Sequence, residues 1–179
     1  MPYPEEVETP RLRGERIDSR HFDEICQLHR DPLVAALLTA GGRPVADQVT
    51  REGLERHTGH WERHGYGFWV FRAKDGGRFI GRGGLGHYEV EGEEMAGLSY
   101  AVVSGEWGRG YATEIARVGV EAGFEGLGLE WIGSWTLEKN EASKRVMEKV
   151  GFRYERAIEF AELPHLFFRL RKAWYKRPL

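Results

Sequence analysis

One stretch past the middle of the chain decides the fold: Trp107-Gly108-Arg109-Gly110-Tyr111-Ala112-Thr113-Glu114. An extended apolar run over 98–103 leads into it, and apolar residues at helical spacing follow it. Two glycines one residue apart let the backbone turn so that successive N–H groups converge. The next helix would add its own unpaired N–H groups and the positive end of its dipole. The stretch therefore predicts a strand, a phosphate-binding loop and a helix, with the charge of Arg109 beside the phosphate.

A strand, a glycine turn and a helix also occur in nucleotide-binding folds. A P-loop needs Gly-x-x-x-x-Gly-Lys-Ser/Thr, and the sequence contains no such run. A dinucleotide fingerprint needs a third glycine, at the first strand–helix turn, whereas Gly108-Arg109-Gly110 lies past mid-chain and Ala112 and Thr113 follow it. A tight turn that binds nothing is the ordinary structural alternative.

Two further segments bear on this choice. The 107–114 stretch resembles the acyl-CoA-binding motif of the GNAT superfamily of N-acetyltransferases, Arg/Gln-x-x-Gly-x-Gly/Ala, with Trp107 at the first place and Gly110 and Ala112 matching. Downstream, the segment 140–152 is similar to the Asn-x-x-Ser…Glu-Lys-x-Gly-Phe signature of the branch that includes the ribosomal-protein N-terminal acetyltransferases. The opening Glu8-Thr9-Pro10-Arg11-Leu12 is similar to the usual first strand of that branch. The resemblance covers nearly the whole chain.

The order of predicted elements fits that family. Antiparallel hairpins come first, then a strand–helix–strand–helix passage, then a final hairpin. This order implies an α/β fold with a mixed, mostly antiparallel, twisted sheet flanked by helices. We expect a single domain over 1–179, with acyl-CoA between splayed central strands as in the GNAT fold. The predicted strands cover about 10–17, 68–72, 78–91, 98–103, 131–136, 153–162 and 165–175, and helices start near 19, 47, 111 and 140.

Composition restricts the function classes. The chain has 179 residues and a net charge of −2, which does not indicate a duplex-binding protein. Its one cysteine, Cys26, cannot form an internal disulfide, so a reducing compartment is the simpler interpretation. The start of the chain lacks the pattern of a signal peptide, and no apolar run approaches the roughly 20 residues of a membrane span. We expect a soluble cytoplasmic protein with neither a nucleic-acid nor a membrane partner.

The resemblance implies where acetyl-CoA, the cosubstrate, would bind. Backbone N–H groups would hold the pyrophosphate, and the strand before the loop would pair with the pantetheine arm. In that strand an N–H near Val102 would face the thioester oxygen, a donor of a kind worth about 3 kcal/mol in acyl transfer. The donor-binding residues expected are Val102, Val103, Arg109, Gly110, Tyr111, Ala112, Thr113, Asn140 and Ser143.

Two residues near the start of the last helix have both an ordinary and a functional interpretation. Asn140 is either a helix N-cap, a hydrogen-bond partner of the pantetheine arm, or both. Ser143 could satisfy a local N–H group. The resemblance places Ser143 near the leaving sulfur, where its hydroxyl would protonate the thiolate, with water as the main competitor. Many GNAT enzymes carry a tyrosine one turn later, at the position of Met147, which cannot donate a proton.

The sequence leaves more than one candidate for the general base that deprotonates the amine. Relatives often carry a glutamate in the strand before the loop, and here that position is Gly97. By resemblance to a late strand of the branch, Glu162 is one candidate base. Glu94 and His87 are the alternatives, the latter because histidine titrates near neutral pH. For each of these residues a solvated side chain at the end of a strand is the ordinary alternative.

Three histidines, His57, His60 and His64, lie on one face of the second predicted helix. Such a face could bind a transition metal. No carboxylate or cysteine clearly completes the site and the resemblance requires no metal, so we expect none. A solvated or partly packed helix face explains the spacing.

We therefore predict an acetyl-CoA-dependent N-acetyltransferase that works by direct attack in a ternary complex. The favoured acceptor is the α-amine of a protein or peptide; a small polyamine, amino acid or aminoglycoside is also considered. A homodimer is possible from the resemblance alone. The alternative is a CoA-binding sensor or scaffold without turnover, which the missing catalytic groups at Gly97 and Met147 keep open.

Overall fold

The computed structural model describes residues 2–39 and 41–176 and contains eight strands and five α-helices within them. The strands are β1 Glu6–Glu8, β2 Leu12–Arg16, β3 Phe68–Ala73, β4 Phe79–Val90, β5 Glu93–Val102, β6 Trp131–Thr136, β7 Arg153–Phe160 and β8 Leu163–Arg171. The helices are α1 Phe22–Arg30, α2 Pro32–Leu38, α3 Asp47–His64, α4 Tyr111–Glu121 and α5 Glu141–Val150. Short 3₁₀ turns cover Ser19–His21, Ser104–Glu106 and Lys172–Trp174, and a π-helical turn follows α4 at Ala122–Gly126.

All eight strands form one sheet in the order β1-β2-β3-β4-β5-β6-β8-β7. Every neighbouring pair is antiparallel except β5 and β6, which are parallel. The prediction of a mixed, mostly antiparallel sheet flanked by helices is therefore confirmed.

The parallel pair is joined at a single point. Gly97 pairs with Gly133, and beyond it the Ser134 hydroxyl donates to the Leu98 carbonyl at 3.0 Å. The strands then separate, so the remainder of β5 has an open edge in the middle of the sheet. We call the space between the two strands beyond this point the slot.

The two faces of the sheet carry different helices. Tyr100 of β5 contacts Ser143 of α5, whereas the next residue, Ala101, packs with Leu28 of α1 and Val34 of α2. Because successive side chains of a strand point to opposite faces, α5 lies on one face and α1 and α2 on the other. We call these the α4–α5 face and the α1–α3 face, since α4 packs with α5 and α3 packs with α1.

Several predicted boundaries differ from the structure. Helix α2 was not predicted, because Pro32 reads as the end of the preceding helix. It also begins the next one: Pro32 occupies the first turn of α2, and the Asp31 carboxylate caps that turn by accepting from the Leu33 N–H at 2.9 Å. The short strand β1 was also missed. The predicted strand over 153–162 ends at Phe160, since Ala161 and Glu162 adopt positive φ angles of 50° and 62° and form a turn.

Within residues 2–39 and 41–176, no helix combines the length and apolar character that crossing a bilayer requires.

Candidate functional site

The loop between β5 and α4 has the geometry of an anion site. Gly108 and Gly110 have φ angles of 76° and 83°, in the left-handed region that favours glycine. Gly110 is the N-cap of α4, so the N–H groups of Tyr111, Ala112 and Thr113 begin the helix. The first N–H groups of a helix have no intrahelical acceptor and lie at the positive end of its dipole. These are the donors that the sequence predicted for a pyrophosphate.

Charged side chains hold this loop in place. Glu106 accepts from Arg78 at 2.9 Å and lies 3.2 Å from a guanidinium nitrogen of Arg109. The hydrogen bond from Arg78 lowers the pKa of Glu106, so it stays ionised. Arg109 itself is more than half exposed, and its carbonyl accepts from Arg11 at 3.0 Å. The charge of Arg109 is therefore shared with Glu106 and available at the surface of the loop.

An acidic residue in the first turn of α4 is neutralised from the other end of the chain. Glu114 pairs with the Arg11 guanidinium at 2.7 Å and accepts from the Thr9 hydroxyl and the Arg11 N–H. Burial raises the pKa of Glu114, but these hydrogen bonds outweigh it and the pKa is lowered. The segment before β2 thus docks on the start of α4 and cancels a charge that would repel phosphate.

A cleft of about 320 Å³ runs from this loop into the slot. It is lined from both faces of the sheet, by α2 on one side and by α4 and α5 on the other, with β5 between them. The lining residues include Val34, Leu37, Leu38, Tyr100, Ala101, Val102, Trp107, Gly110, Tyr111, Ala112, Thr113, Asn140, Ser143 and Val146. An extended molecule anchored at the loop can therefore reach the α1–α3 face through the slot.

The open edge of β5 carries backbone donors. The Val103 N–H donates to the Ile80 carbonyl of β4 at 3.0 Å, so its amide is used by the sheet. Because backbone groups alternate in direction along a strand, the N–H groups of Val102 and Tyr100 point the other way, into the slot. The Val102 carbonyl accepts from the Trp107 indole at 2.7 Å. The Val102 N–H thus faces the slot, whereas both backbone groups of Val103 are bonded, the N–H to Ile80 and the carbonyl to the Glu106 N–H at 3.0 Å.

Trp107 stands where the family motif has arginine or glutamine. Its indole N–H donates to the end of β5, as an N–H of either of those side chains could. This contact links the strand edge to the loop and explains why a tryptophan fits the position.

Ser143 lines the cleft and is hydrogen-bonded to Tyr100, a contact that the sequence did not predict. Its hydroxyl is 3.0 Å from the Tyr100 hydroxyl, which is also 3.2 Å from the Ser143 carbonyl. Burial raises the pKa of Tyr100 well above its ordinary value, although the bond to Ser143 opposes this, so the phenol keeps its proton. Tyr100 was not assigned a role from the sequence, and no local signal could have found it, because Tyr100 and Ser143 are 43 residues apart.

Asn140 is a helix N-cap in the structure. Its side-chain oxygen accepts from the Ser143 N–H at 3.1 Å, and it also lines the cleft. The ordinary interpretation of Asn140 therefore holds, and its amide nitrogen is left for a ligand. Met147, one turn after Ser143, is fully buried. It cannot substitute for the tyrosine of other relatives.

Aromatic rings cover Gly97, the position at which relatives often carry the glutamate base. A Cβ atom added to Gly97 would lie 2.8 Å from Cδ2 of Tyr88 and 2.9 Å from Cη2 of Trp135. The Tyr88 ring also covers Gly86, the residue that pairs with Gly97 across β4 and β5. Any larger side chain at Gly97 would displace these rings, so the missing carboxylate is a consequence of packing.

The structure does not bring the predicted carboxylate bases to the slot. Glu94 is exposed near the start of β5, eight residues before Val102, which is about 27 Å in an extended strand. Glu162 is exposed in the turn between β7 and β8, not in a strand as predicted. His87, the third candidate, lies beside Glu94 at 3.9 Å, and its ring stacks on that of His64 at 4.8 Å.

The three histidines of α3 do not form a common cluster, because His57 has different neighbours from His60 and His64. His60 is bonded through both ring nitrogens, to the Tyr66 carbonyl at 2.8 Å and to the His87 N–H at 2.9 Å. His64 packs on His60 and His87, whereas His57 packs on Phe68 of β3 with ring centroids 4.6 Å apart. In the part of the chain that the structure describes, no group of three His, Cys, Asp or Glu side chains could hold a metal.

Comparison with known proteins identifies the family of this chain. A family profile described as "Acetyltransferase (GNAT) domain" matches residues 11–153. YkkB, an uncharacterized protein of Bacillus subtilis (strain 168), is 29% identical over 109 residues, which cover 61% of this chain and 63% of YkkB. The match thus spans less than two thirds of that relative.

Solved structures agree on the fold. A putative GNAT-family acetyltransferase from Bordetella pertussis has a TM-score of 0.80 at 22% identity, covering 93% of this chain and 99% of that one. The ribosomal L7/L12 alpha-N-protein acetyltransferase RimL, solved in complex with coenzyme A, has a TM-score of 0.74 at 14% identity, with 94% and 97% coverage. The profile covers most of the chain and the fold agrees with it, so this protein belongs to the GNAT acetyltransferase family.

Proposed function

We propose that this protein transfers an acetyl group from acetyl-CoA to a primary amine by direct attack in a ternary complex. The observation that carries the proposal is the slot in the sheet. Two free backbone donors of β5 face it, a phosphate-binding loop lies at one end, and the Ser143 hydroxyl lies beside it. Family membership supports acetyl-CoA as the donor substrate.

The loop and the slot divide the binding of acetyl-CoA between them. The N–H groups from Arg109 to Thr113 would hold the pyrophosphate, as helix N-termini do. The pantetheine arm carries amide groups, which can pair with the open edge of β5 as a further strand would. Acetyl-CoA bound in this way would have its thioester near the N–H groups of Tyr100 and Val102.

The chemistry follows from what these groups can donate. The amine attacks the thioester carbonyl, and negative charge develops on its oxygen. An N–H group fixed by a strand stabilises that charge without reorganisation, and Val102 supplies such a donor. When the carbon–sulfur bond breaks, the electron pair leaves with sulfur. Ser143 then gives its proton to the thiolate. The Tyr100 hydroxyl, which keeps its own proton, orients the Ser143 hydroxyl, and solvent, which accepts the proton of the amine, returns one to Ser143.

The carboxylate that lines the cleft, Glu106, is paired with Arg78 and Arg109 at the loop, and the predicted bases Glu94 and Glu162 lie elsewhere. This favours an acceptor amine that needs little help to lose its proton. An α-amino group has a pKa of about 7.8 and is partly unprotonated at neutral pH, whereas a lysine-like amine with a pKa of about 10.4 is almost fully protonated. An α-amine, as in the named activity of RimL, is therefore the favoured acceptor. Solvent would accept the proton. A homodimer and a cytoplasmic location stay predictions.

The test is release of free thiol from acetyl-CoA with a panel of acceptors: peptides with free N-termini, amino acids, polyamines and aminoglycosides. We expect release with α-amines and product mass increased by one acetyl group. Acetyl-CoA binding without release across the whole panel would refute the enzyme proposal and favour the CoA-binding sensor or scaffold. Competition by ATP or NAD for the CoA site would point instead to a nucleotide-binding protein.

A further inference from the structure

One cation is buried in the sheet without a counter-charge. Arg82 of β4 is only 9% exposed, and its Nη1 atom is buried with no hydrogen-bond partner. Among residues 2–39 and 41–176, no carboxylate lies within ion-pair distance of its guanidinium. Two other arginines of the sheet are largely shielded from solvent, Arg72 of β3 and Arg169 of β8, and each is paired with a glutamate. Within the described residues, Arg82 is therefore a buried cation without an anionic partner.

The guanidinium lies on the α1–α3 face. Arg82 pairs directly with Ala101, which packs against α1 and α2, and its Cζ lies 5.2 Å from the Phe68 ring centroid. Phe68 pairs with Gly84, two residues further along β4. The side chain of Arg82 therefore extends along β4 from the level of Ala101 towards the level of Ser99, which faces Gly84. This brings it alongside the part of β5 whose N–H groups face the slot.

The surroundings of Arg82 are polar but uncharged. Burial lowers the pKa of His57 to about 3 and that of His29 to about 4, and in both cases the charge of Arg82 adds to the effect. Both rings are thus neutral at physiological pH. From the other direction, the Tyr88 ring folds back over Gly86, so that its hydroxyl points towards Arg82. Burial raises the pKa of Tyr88, which stays a neutral hydrogen-bond donor.

Arg82 and Tyr88 thus approach one another on one face of β4, with the Tyr88 ring over Gly86. Gly84, Gly86 and Gly97 lie between Arg82 and Tyr88, and Ser99 lies across from Gly84. Arginine keeps its charge at any pH at which a protein folds, and a buried charge without a partner is unfavourable. A carboxylate bound here would accept from the guanidinium and from the phenol, and it would remove the uncompensated charge.

We propose that the acceptor carries a carboxylate a few bonds from its reactive amine, and that Arg82 binds this carboxylate with Tyr88 as a second donor. The inference rests on the proposed acetyl transfer and names its substrate class. Arg82 is directly opposite Ala101, and the amides of Tyr100 and Val102 flank Ala101, so the site and the slot are neighbours. A free amino acid and a peptide that begins with an acidic residue both offer this chemistry. Polyamines and aminoglycosides, which are polycations, are excluded as good acceptors because Arg82 repels them.

The experiment compares matched acceptors that differ only in charge. Amino acids are compared with their carboxamides, and peptides beginning with glutamate or aspartate with those beginning with glutamine or asparagine. We expect the carboxylate member of the correct pair to have the higher kcat/KM by roughly 10- to 100-fold, as for hydrogen bonds to a charged group. In Arg82→Gln this preference falls to about 2-fold or less, whereas Arg82→Lys keeps part of it.

Two readouts separate a binding role from a structural one. The affinity for CoA is the same in Arg82→Gln and in the wild-type protein, since the loop and the slot are intact. Because Arg82 has no ion pair to lose, and its contact with the Phe68 ring is offset by removal of a buried charge, Arg82→Gln unfolds at a temperature close to that of the wild-type protein. Arg13→Gln, the same substitution at an exposed residue of β2, two strands away from β4, leaves all acceptor preferences unchanged.

The outcomes distinguish this inference from the proposed function. Equal kcat/KM for both members of every pair, or a preference that survives in Arg82→Gln, would overturn the inference and leave acetyl transfer standing. If no acceptor reacts, the proposed function fails, and the thermal midpoint of the CoA complex is measured with millimolar glutamate, aspartate and phenylalanine. A rise in the wild-type protein that is absent in Arg82→Gln supports the carboxylate site, and no rise refutes it.

Discussion

The two sides of the slot are built in different ways. On the side where we propose that acetyl-CoA binds, here called the donor side, the loop before α4, the edge of β5 and the start of α5 present backbone N–H groups and helix caps. On the α1–α3 face, where we propose that the acceptor binds and which is here called the acceptor side, the groups are side chains from separate elements: Arg82 and Tyr88 from β4, Trp135 from β6 and His57 from α3. A site made of backbone is therefore specified by local glycines and caps, whereas a site made of side chains depends on the whole fold.

We expect the largest loss of stability when a glutamate replaces Gly97, the position at which relatives often carry one. Gly97→Glu would place Cβ 2.8 Å from the Tyr88 ring and 2.9 Å from the Trp135 ring. We expect the free energy of unfolding to fall by about 3 kcal/mol, the upper range for overpacking a core. Urea unfolding measures it. Gly105→Glu, where an added Cβ meets nothing within 4 Å, is the control, and equal stability of the two variants would contradict the packing argument.

The next prediction tests the proposed role of Ser143 as the proton donor to the thiolate. Ser143→Ala should lower kcat by about 100-fold, the lower range for general acid catalysis, and leave the Kd of acetyl-CoA nearly unchanged. Tyr100→Phe, which keeps the ring and removes the bond to Ser143, should lower kcat by about 10-fold. Steady-state kinetics and calorimetric titration give the two quantities. Ser19→Ala, at an exposed serine before α1, should change neither; unchanged kcat in Ser143→Ala would assign protonation to water.

The neutral histidines of the acceptor side make stability depend on pH. The folded pKa values of His57 and His29 are about 3 and about 4, below the unfolded value of 6.5, so the unfolded state binds more protons in that window. The free energy of unfolding therefore falls as the pH drops from about 6.5, by at most about 1.4 kcal/mol per pH unit for each group. The slope from His29 is smaller, because its ring is partly exposed.

Urea unfolding between pH 7 and pH 4 measures this slope. His57→Gln should reduce it, and His165→Gln on β8 should not. A slope that is unchanged in His57→Gln would show that the buried ring is not the titrating group.

The smallest effect concerns the cap of α5. Asn140→Ala should lower the free energy of unfolding by about 1 kcal/mol, because the Ser143 N–H loses its acceptor. Asn140→Asp keeps the cap and should unfold like the wild-type protein. If Asn140→Asp nevertheless binds CoA more weakly, the amide nitrogen contacts the ligand; if its affinity is unchanged, Asn140 acts as a cap alone.

The features that could be predicted from the sequence are the local, backbone ones, and those that could not are the contacts between distant side chains. The loop over 107–114, the cap at Asn140 and the order of strands are determined by turn residues, caps and periodicity over short distances, and the structure contains them. Helix α2 was missed because Pro32 both ends one helix and begins the next. The Tyr100–Ser143 bond, the rings over Gly97 and the unpaired Arg82 depend on which residues of distant strands face each other. Composition and periodicity do not encode that register.

The slot has a consequence for the lifetime of the protein. A sheet that is joined at Gly97–Gly133 and then opens has two unpaired edges in its interior, and a ligand that pairs with them acts as an inserted strand. Ligand binding to the folded state alone stabilises it by RT ln(1 + [L]/Kd), about 2.7 kcal/mol at a concentration of 100 Kd. The folded fraction, and with it resistance to proteolysis, would then rise and fall with the supply of CoA, so that abundance of the protein follows the metabolic state without a separate regulatory site.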